Sequence, residues 1–301
     1  MNISVCIATY RRPERLAALL ADLAAQQLQP REVVVVDNDA AGSAQAVCDA
    51  AQAAGSRFPI RYSIQPIKNL SLTRNQTVAH AAAPWLAFID DDERAPADWL
   101  ARLAGSAGDG VDGVLGPVEP LLPDDAAGWL QRGRFYRWAR MPTGSVVPGN
   151  RLRFGNVLLR ASTLRAAAPI FDPDYGRTGG EDGDLLTRLV QAGARIIWCD
   201  EAEILEPVER SRQSLRWLLL RGLRGGQDYA RHARAGRYGP RTVIGDLGLI
   251  LRSLLQMLLA LLLVPLSLPL GRHHAAHWLI RAAANLGKLS AYAGLHYREY
   301  A

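Results

Sequence analysis

Short apolar runs alternate with stretches of helical periodicity through the N-terminal two thirds of the chain. Residues 3–8, ISVCIA, are an apolar run of strand length. Behind Pro13, a residue suited to a first helical position, Leu16, Leu19, Leu20 and Leu23 recur on one helix face. Val33, Val34, Val35 and Val36 are β-branched with no polar residue among them, which predicts a strand covered on both faces. The pattern predicts further strands at 61–64, 86–89, 156–159 and 195–199. Helices are predicted at 43–54, 71–83, 98–104 and 181–192. Such strand–helix alternation implies a mainly parallel sheet flanked by helices. No internal repeat is visible.

Open parallel sheets bind ligands beyond the carboxyl ends of their strands. Three predicted strand ends here are polar: Thr9-Tyr10, Asp37-Asn38-Asp39 and Asp90-Asp91-Asp92. Adjacent carboxylates repel one another, so the triple aspartate calls for a cation. If strand geometry continues for two residues, Asp90 and Asp92 project to one side and Asp91 to the other. The same-side pair suits Mg²⁺ or Mn²⁺, whose remaining positions go to phosphate oxygens and water. A helix N-terminus accounts for Glu93 or Asp98 but not for three aspartates behind WLAFI. A second acidic stretch, TGGEDGDLLTRLVQAG, sets Glu181-Asp182 after the Gly179-Gly180 turn and opens a helix with Leu185, Leu186 and Leu189 inward. Asp184 there reads as a helix cap.

The C-terminal third differs in character. The whole chain of 301 residues carries a net +6, but residues 210–301 hold 14 basic against three acidic side chains, leaving the remainder at −5. Within that third, residues 253–271 contain no charge, a length just sufficient to cross a bilayer, with Pro265 and Pro269 expected to kink it. The alternative is a helix buried against the first domain. Arg272, His273 and His274 are placed to meet anionic headgroups. Nucleic acid is not the expected partner of so apolar a tail. Cys6, Cys48 and Cys199 lie far apart, which excludes a disulfide framework or a cysteine zinc site and fits a reducing compartment. MNISVCIAT runs straight into Tyr10-Arg11-Arg12, so no secretory signal is expected.

The ordered set SVCIATYRRPERL, VVVVDND, NLSLTRNQTVAHA, FIDDDE and GGEDGDLLTRL, spanning Asn2 to about Val208, resembles the inverting glycosyltransferases of family 2. The resemblance implies the GT-A fold, a Rossmann-like and mainly parallel sheet, with a nucleotide-sugar donor (usually a UDP-sugar) and a divalent metal. By position it implies that Thr9, Tyr10 and Arg11 pack on the nucleoside and that Asp37, or Asp39, accepts from the base edge. Arg74 would serve the nucleotide, Asp91 the ribose, and Asp90 with Asp92 the metal and diphosphate. Asn156, in FGNVLLR, would lie near the donor sugar. Glu181-Asp182 would be the catalytic pair, with Asp182 the general base. Where relatives carry a metal-binding histidine, this chain has ILEPVERSR; Glu206 is then the substitute, or Asp92 and phosphate hold the metal alone. Gln213-Ser214-Leu215-Arg216-Trp217 resembles the Gln-x-x-Arg-Trp signature of processive synthases, which makes Arg216 and Trp217 acceptor or diphosphate contacts. Trp138, in the aromatic and arginine-rich WLQRGRFYRWAR, is a further acceptor candidate.

These readings divide the chain into a GT-A domain at 1–209 and a basic, hydrophobic, helical membrane-associating region at 210–301. They predict single addition of a sugar to a saccharide acceptor, carried on a lipid diphosphate, in surface polysaccharide assembly at the cytoplasmic face of the plasma membrane. The tail RAAANLGKLSAYAGLHYREY resembles family members of that kind, and the arginine- and alanine-rich composition fits a bacterium. Two rivals are a polyprenyl-phosphate sugar synthase, whose anionic acceptor needs no base, and a non-catalytic nucleotide-sugar-binding membrane adaptor.

Overall fold

Val33 and Val35 pack on one face of a central sheet and Val34 and Val36 on the other, all four fully buried. That alternation, in a computed structural model describing residues 1–297, sets the layers of the molecule. In chain order the elements are β1 (Ile3–Thr9), α1 (Pro13–Ala24), β2 (Glu32–Asp37), α2 (Gln45–Ala53), β3 (Ile60–Ile64), α3 (Leu70–His80), β4 (Trp85–Phe88) and α4 (Trp99–Ser106). Then come β5 (Gly113–Leu115), β6 (Val118–Leu121), α5 (Gly128–Gly133), β7 (Val157–Arg160), α6 (Ala161–Arg165), α7 (Glu181–Gln191), β8 (Ile196–Trp198) and β9 (Ile204–Pro207). The chain ends in α8 (Leu215–Arg234), α9 (Val243–Ser267) and α10 (Arg272–Tyr292).

Seven strands form the main sheet in the order β3-β2-β1-β4-β7-β5-β8, parallel except for β7, which runs against both β4 and β5. A separate parallel pair, β6 and β9, closes over one end. Leu16, Leu19, Leu20 and Leu23 of α1 enter the core with Trp99, Leu100 and Leu103 of α4. Leu185, Leu186 and Leu189 of α7 fill the opposite face. Each fully buried side chain of this kind stabilises the fold by about 2 kcal/mol. The expected mainly parallel sheet with flanking helices is observed. The sequence pattern missed β5, β6 and β9, which have three or four residues each, too few to display a period.

Helices α8 and α10 meet backbone to backbone. A Cβ on Gly226 would fall 1.8 Å from the Ala284 carbonyl oxygen, and one on Gly287 would fall 1.9 Å from that of Leu223. Packed on α10, α9 with its short 3₁₀ extension spans 28 residues, Val243–Leu270, and is long and apolar enough to cross a membrane. Its side chains face outward: Ile244 is 84% exposed and Leu270 71%. The alternative of burial against the first domain is therefore not what is found. Pro265 falls in the last turn of α9 and Pro269 in the 3₁₀ turn after it, so both lie where the helix ends. The final four positions of the 210–301 region lie outside the described residues.

Candidate active site

A cavity of about 260 Å³ opens beyond the carboxyl ends of β1, β2 and β4, lined by Thr9, Tyr10, Arg74, Glu206 and all three aspartates, Asp90, Asp91 and Asp92. The two-sided disposition expected for those aspartates is not found, because β4 ends at Phe88 and the chain turns. Glu93 N–H donates to the Asp90 carbonyl at 3.2 Å, and Asp90 N–H to the Glu93 carboxylate at 2.8 Å. Burial, with the charge of Asp90 next in size, pushes the Glu93 carboxyl well above its ordinary range. The turn brings Asp91 and Asp92 together on Arg12, whose Nη1 is 3.0 Å from an oxygen of each. Asp92 Oδ2 also accepts from Arg212 at 2.9 Å, and Arg15 lies 3.7 Å away. Thr9 Oγ1 donates to Asp91 at 2.7 Å; burial pushes that carboxyl up to about 6 against the pull of Arg12.

Arg74 joins the two acidic stretches. Its guanidinium donates to Asp90 Oδ1 at 3.1 Å and to Glu181 Oε1 at 2.6 Å, with its central carbon 4.8 Å from the Phe154 ring centroid. Both Asp90 and Asp182 line a second, larger cavity of about 760 Å³ that adjoins the first. Gly179 and Gly180, at φ of +86° and +92°, make the tight entry that puts Glu181 and Asp182 at the start of α7. Glu181 is buried beneath Arg74; desolvation raises its carboxyl while Arg74 opposes. Asp182 reaches the cavity and accepts Gly183 N–H at Oδ1, 2.7 Å.

Helix α8 lies across this helix start. His232, whose imidazole burial pulls below its ordinary range, places Nε2 2.9 Å from the Gly180 carbonyl, Arg231 donates to Thr178, and Arg237, just beyond the helix, reaches Asp184 at 2.5 Å. Asp184, expected as a cap, is instead a buried anion shared by Arg237 and Arg188. The same helix brings in Asp228, so close that a Cβ on Gly180 would lie 3.1 Å from its Oδ1.

Residues 4–165, more than half of the chain, match the sequence model of Glycosyl transferase family 2. The chain belongs to this family. Relatives of this family 2 glycosyltransferase include the succinoglycan biosynthesis protein ExoM of Rhizobium meliloti (strain 1021), 36% identical over 249 residues that make up 80% of this chain and 78% of ExoM. The galactofuranosyltransferase GlfT1 of Mycobacterium tuberculosis (strain ATCC 25618 / H37Rv) is 29% identical over 233 residues, 68% of this chain and 70% of that one. Among solved structures, S. aureus TarS 1-349 in complex with UDP superposes with a TM-score of 0.56 at 17% identity, covering 99% of this chain and 93% of that one. The mannosyltransferase PcManGT from Pyrobaculum calidifontis, in complex with GDP-Man and Mn2+, gives 0.59 at 16% identity over 99% and 77%. These likenesses show the GT-A fold.

Several positions that the family resemblance implied lie elsewhere in this glycosyltransferase. Asp37 is turned into the β2–α2 loop, accepting from the backbone of Asp39 and Ala44 and from Tyr62 Oη at 3.1 Å, and lines neither cavity. Asp39 pairs outside the cavity with Arg11, itself 63% exposed. Asn156 is a bracket in the core: it accepts from Trp99 Nε1 at 2.8 Å and donates to the carbonyls of Pro117 and Ala202. Arg216 is exposed and away from both cavities, and Trp217 stacks on Tyr136 with ring centroids 5.8 Å apart. It is Arg212, four residues earlier, that reaches Asp92. Trp138 does line the larger cavity, and Tyr10 the smaller, with Lys68 Nζ 4.9 Å from its ring centre.

Sequence reasoning missed Asp228, because nothing in GGQDYARH marks it; only the crossing of α8 over α7 gives it meaning. Burial first, and the charge of Asp182 next, push its carboxyl up to about 7, opposed by Arg231 and Arg224. A raised carboxyl binds a proton in the folded chain that the unfolded chain has already lost. Its contribution to stability is therefore fully present below about pH 4 and disappears as pH rises through about 7. Melting temperatures of wild type and Asp228→Asn, measured across that window, are expected to differ in slope, the variant losing the decline that Asp228 causes.

Proposed function

We propose that this glycosyltransferase moves one sugar from a nucleotide diphosphate sugar, with UDP favoured, to a hydroxyl of a saccharide acceptor, inverting the anomeric carbon. The observation that carries the reading is the Arg74 bridge, which holds the triple aspartate and the Glu181-Asp182 start of α7 at one junction between two cavities. The smaller cavity takes the nucleotide: Tyr10 offers a ring to the base, Asp91 an acceptor to the ribose, and Arg12, Arg74 and Arg212 offer guanidinium groups to the diphosphate. The larger takes the acceptor, with Asp182 Oδ2 receiving its hydroxyl proton. Attack from the face opposite the diphosphate would convert an α-linked donor into a β-glycoside.

Among the described residues, no group of three or more His, Cys, Asp or Glu has metal-holding geometry. The donor set nevertheless fits a hard divalent ion, since Mg²⁺ and Mn²⁺ in phosphate sites use one or two carboxylates and fill the rest with phosphate oxygens and water. Asp90 and Asp92 would hold it, with Glu206 nearby, and when bound it would offset charge developing on the leaving diphosphate. Membrane association through α9, and a lipid-linked acceptor at the cytoplasmic face, are supported by the outward apolar face of that helix and by relatives named for polysaccharide assembly.

The test is nucleotide release from a panel of UDP- and GDP-sugars with membrane extract as acceptor. Release is expected with one donor, to be lost with EDTA and restored by Mg²⁺ or Mn²⁺. Binding of UDP with no release from any donor would leave the adaptor reading standing.

A further inference from the structure

The larger cavity holds two arginines that no carboxylate among the described residues contacts directly. Arg153, in the loop before β7, and Arg221, on α8, make no hydrogen bond or ion pair among the described residues. Their guanidinium carbons lie over the same indole ring, Trp138, at 4.5 Å and 5.8 Å from its centre. Arg153 Nη1 is buried without a partner. Burial and the neighbouring charge of Arg221 pull Arg153 down to about 10. Glu206, the carboxylate that acts on Arg221, is already held by Arg212 at 2.7 Å. Two like charges, partly desolvated and both within 6 Å of the centre of one exposed aromatic ring, form an anion site in waiting.

We infer that Arg153 and Arg221, with Trp138 between them in the lining, seat the diphosphate of a lipid-linked acceptor. The inference rests on the glycosyl-transfer reading and assigns the acceptor's anionic group. A diphosphate could also come from the donor, but the smaller cavity already has Arg12, Arg74 and Arg212 for that one. Asp182 shares the larger cavity with the arginine pair, so one molecule can present a hydroxyl to the carboxylate and a diphosphate to the guanidinium groups. Ile280 and Ala284 of α10 complete the wall, and α10 packs directly on α9 with its outward apolar face. The apolar wall from α10 and the outward apolar face of the neighbouring α9 are the surfaces a lipid tail would use.

Farnesyl diphosphate, farnesol and inorganic pyrophosphate serve as probes, titrated into the full-length protein with UDP and Mg²⁺ saturating. Wild type is expected to bind farnesyl diphosphate best. Arg153→Gln and Arg221→Gln should each weaken it about tenfold and the double variant about a hundredfold, with UDP affinity unchanged. Because no ion pair is lost, neither variant is expected to melt earlier than wild type. Arg→Lys versions, which keep the charge, should recover part of the affinity. Unchanged farnesyl diphosphate affinity in the double variant would overturn the assignment, and a parallel loss of UDP affinity would move the pair to the donor. Pyrophosphate binding as tightly as farnesyl diphosphate would show a phosphate site without lipid preference and overturn the lipid part. The readout needs no turnover, so a protein that transfers no sugar yet binds farnesyl diphosphate through the pair would sink the functional reading, and with it the acceptor role, while the lipid-diphosphate site would stand.

Discussion

Asp182→Asn is expected to lower turnover by roughly a thousandfold while leaving UDP affinity unchanged. An acceptor hydroxyl has a pKa far above neutrality, and a positioned base contributes about 10²–10⁴ in rate. The amide keeps the shape of the carboxylate and can still accept Gly183 N–H at Oδ1, but it cannot take a proton. The Arg74–Glu181–Asp90 bridge involves neighbouring residues and is untouched, so the nucleotide cavity should keep its form. Calorimetry with UDP and a nucleotide-release assay separate the two quantities. A variant retaining more than a tenth of its turnover would point to an acceptor that is already an anion, as for a polyprenyl-phosphate sugar synthase. Loss of UDP binding would instead make Asp182 part of the donor site.

Arg74→Met should cost about 3–5 kcal/mol of folding stability, the typical loss when one partner of a buried ion pair is removed. Arg74 and Glu181 are 8% and 3% exposed, and the guanidinium also stacks near Phe154 and Phe171. Without it Glu181 is left under the loop before α7, with Asp182 and Asp228 adding negative charge nearby. The carboxyl escapes part of the cost by keeping a proton. With Arg74 present the Glu181 carboxyl is already pushed up to about 8, and without it higher still, so the two proteins differ in its protonation only from there and the deficit should widen as pH rises through about 8. Urea denaturation of Arg74→Met and of the double variant with Glu181→Gln checks this: most of the loss should return in the double variant. Full stability in Arg74→Met alone would show that the bridge is not a strut.

The sheet was legible where burial imposes a period. Leu16, Leu19, Leu20 and Leu23 could face only one way, and the valine run of β2 could lie only in a covered layer. The place of the smaller cavity was legible too, because polar residues that end apolar strands of a parallel sheet gather at one edge. Orientation was not. Asp37 and Asp91 both follow buried strands, yet Asp37 spends its oxygens on a loop, while the turn after Phe88 turns Asp91 to the cavity. Asn156 shows the same ambiguity: one amide can serve a ligand or brace a core, and only its three partners decide. Asp228 and Arg221 carried no local signal at all, because their meaning comes from a helix crossing over a distant loop, and Arg212 none because its partners are Asp92, far off in sequence, and Glu206 in the preceding strand.

That crossing also limits how the protein can change. Much of the larger cavity, Asp228 and Arg221 included, is built from the same closing segment that presents α9 outward, and glycine contacts at Gly226 and Gly287 lock its helices together. Replacing the α8–α10 segment would rebuild that cavity at the same stroke. On the proposed reading, membrane attachment and acceptor choice would be inherited as one piece.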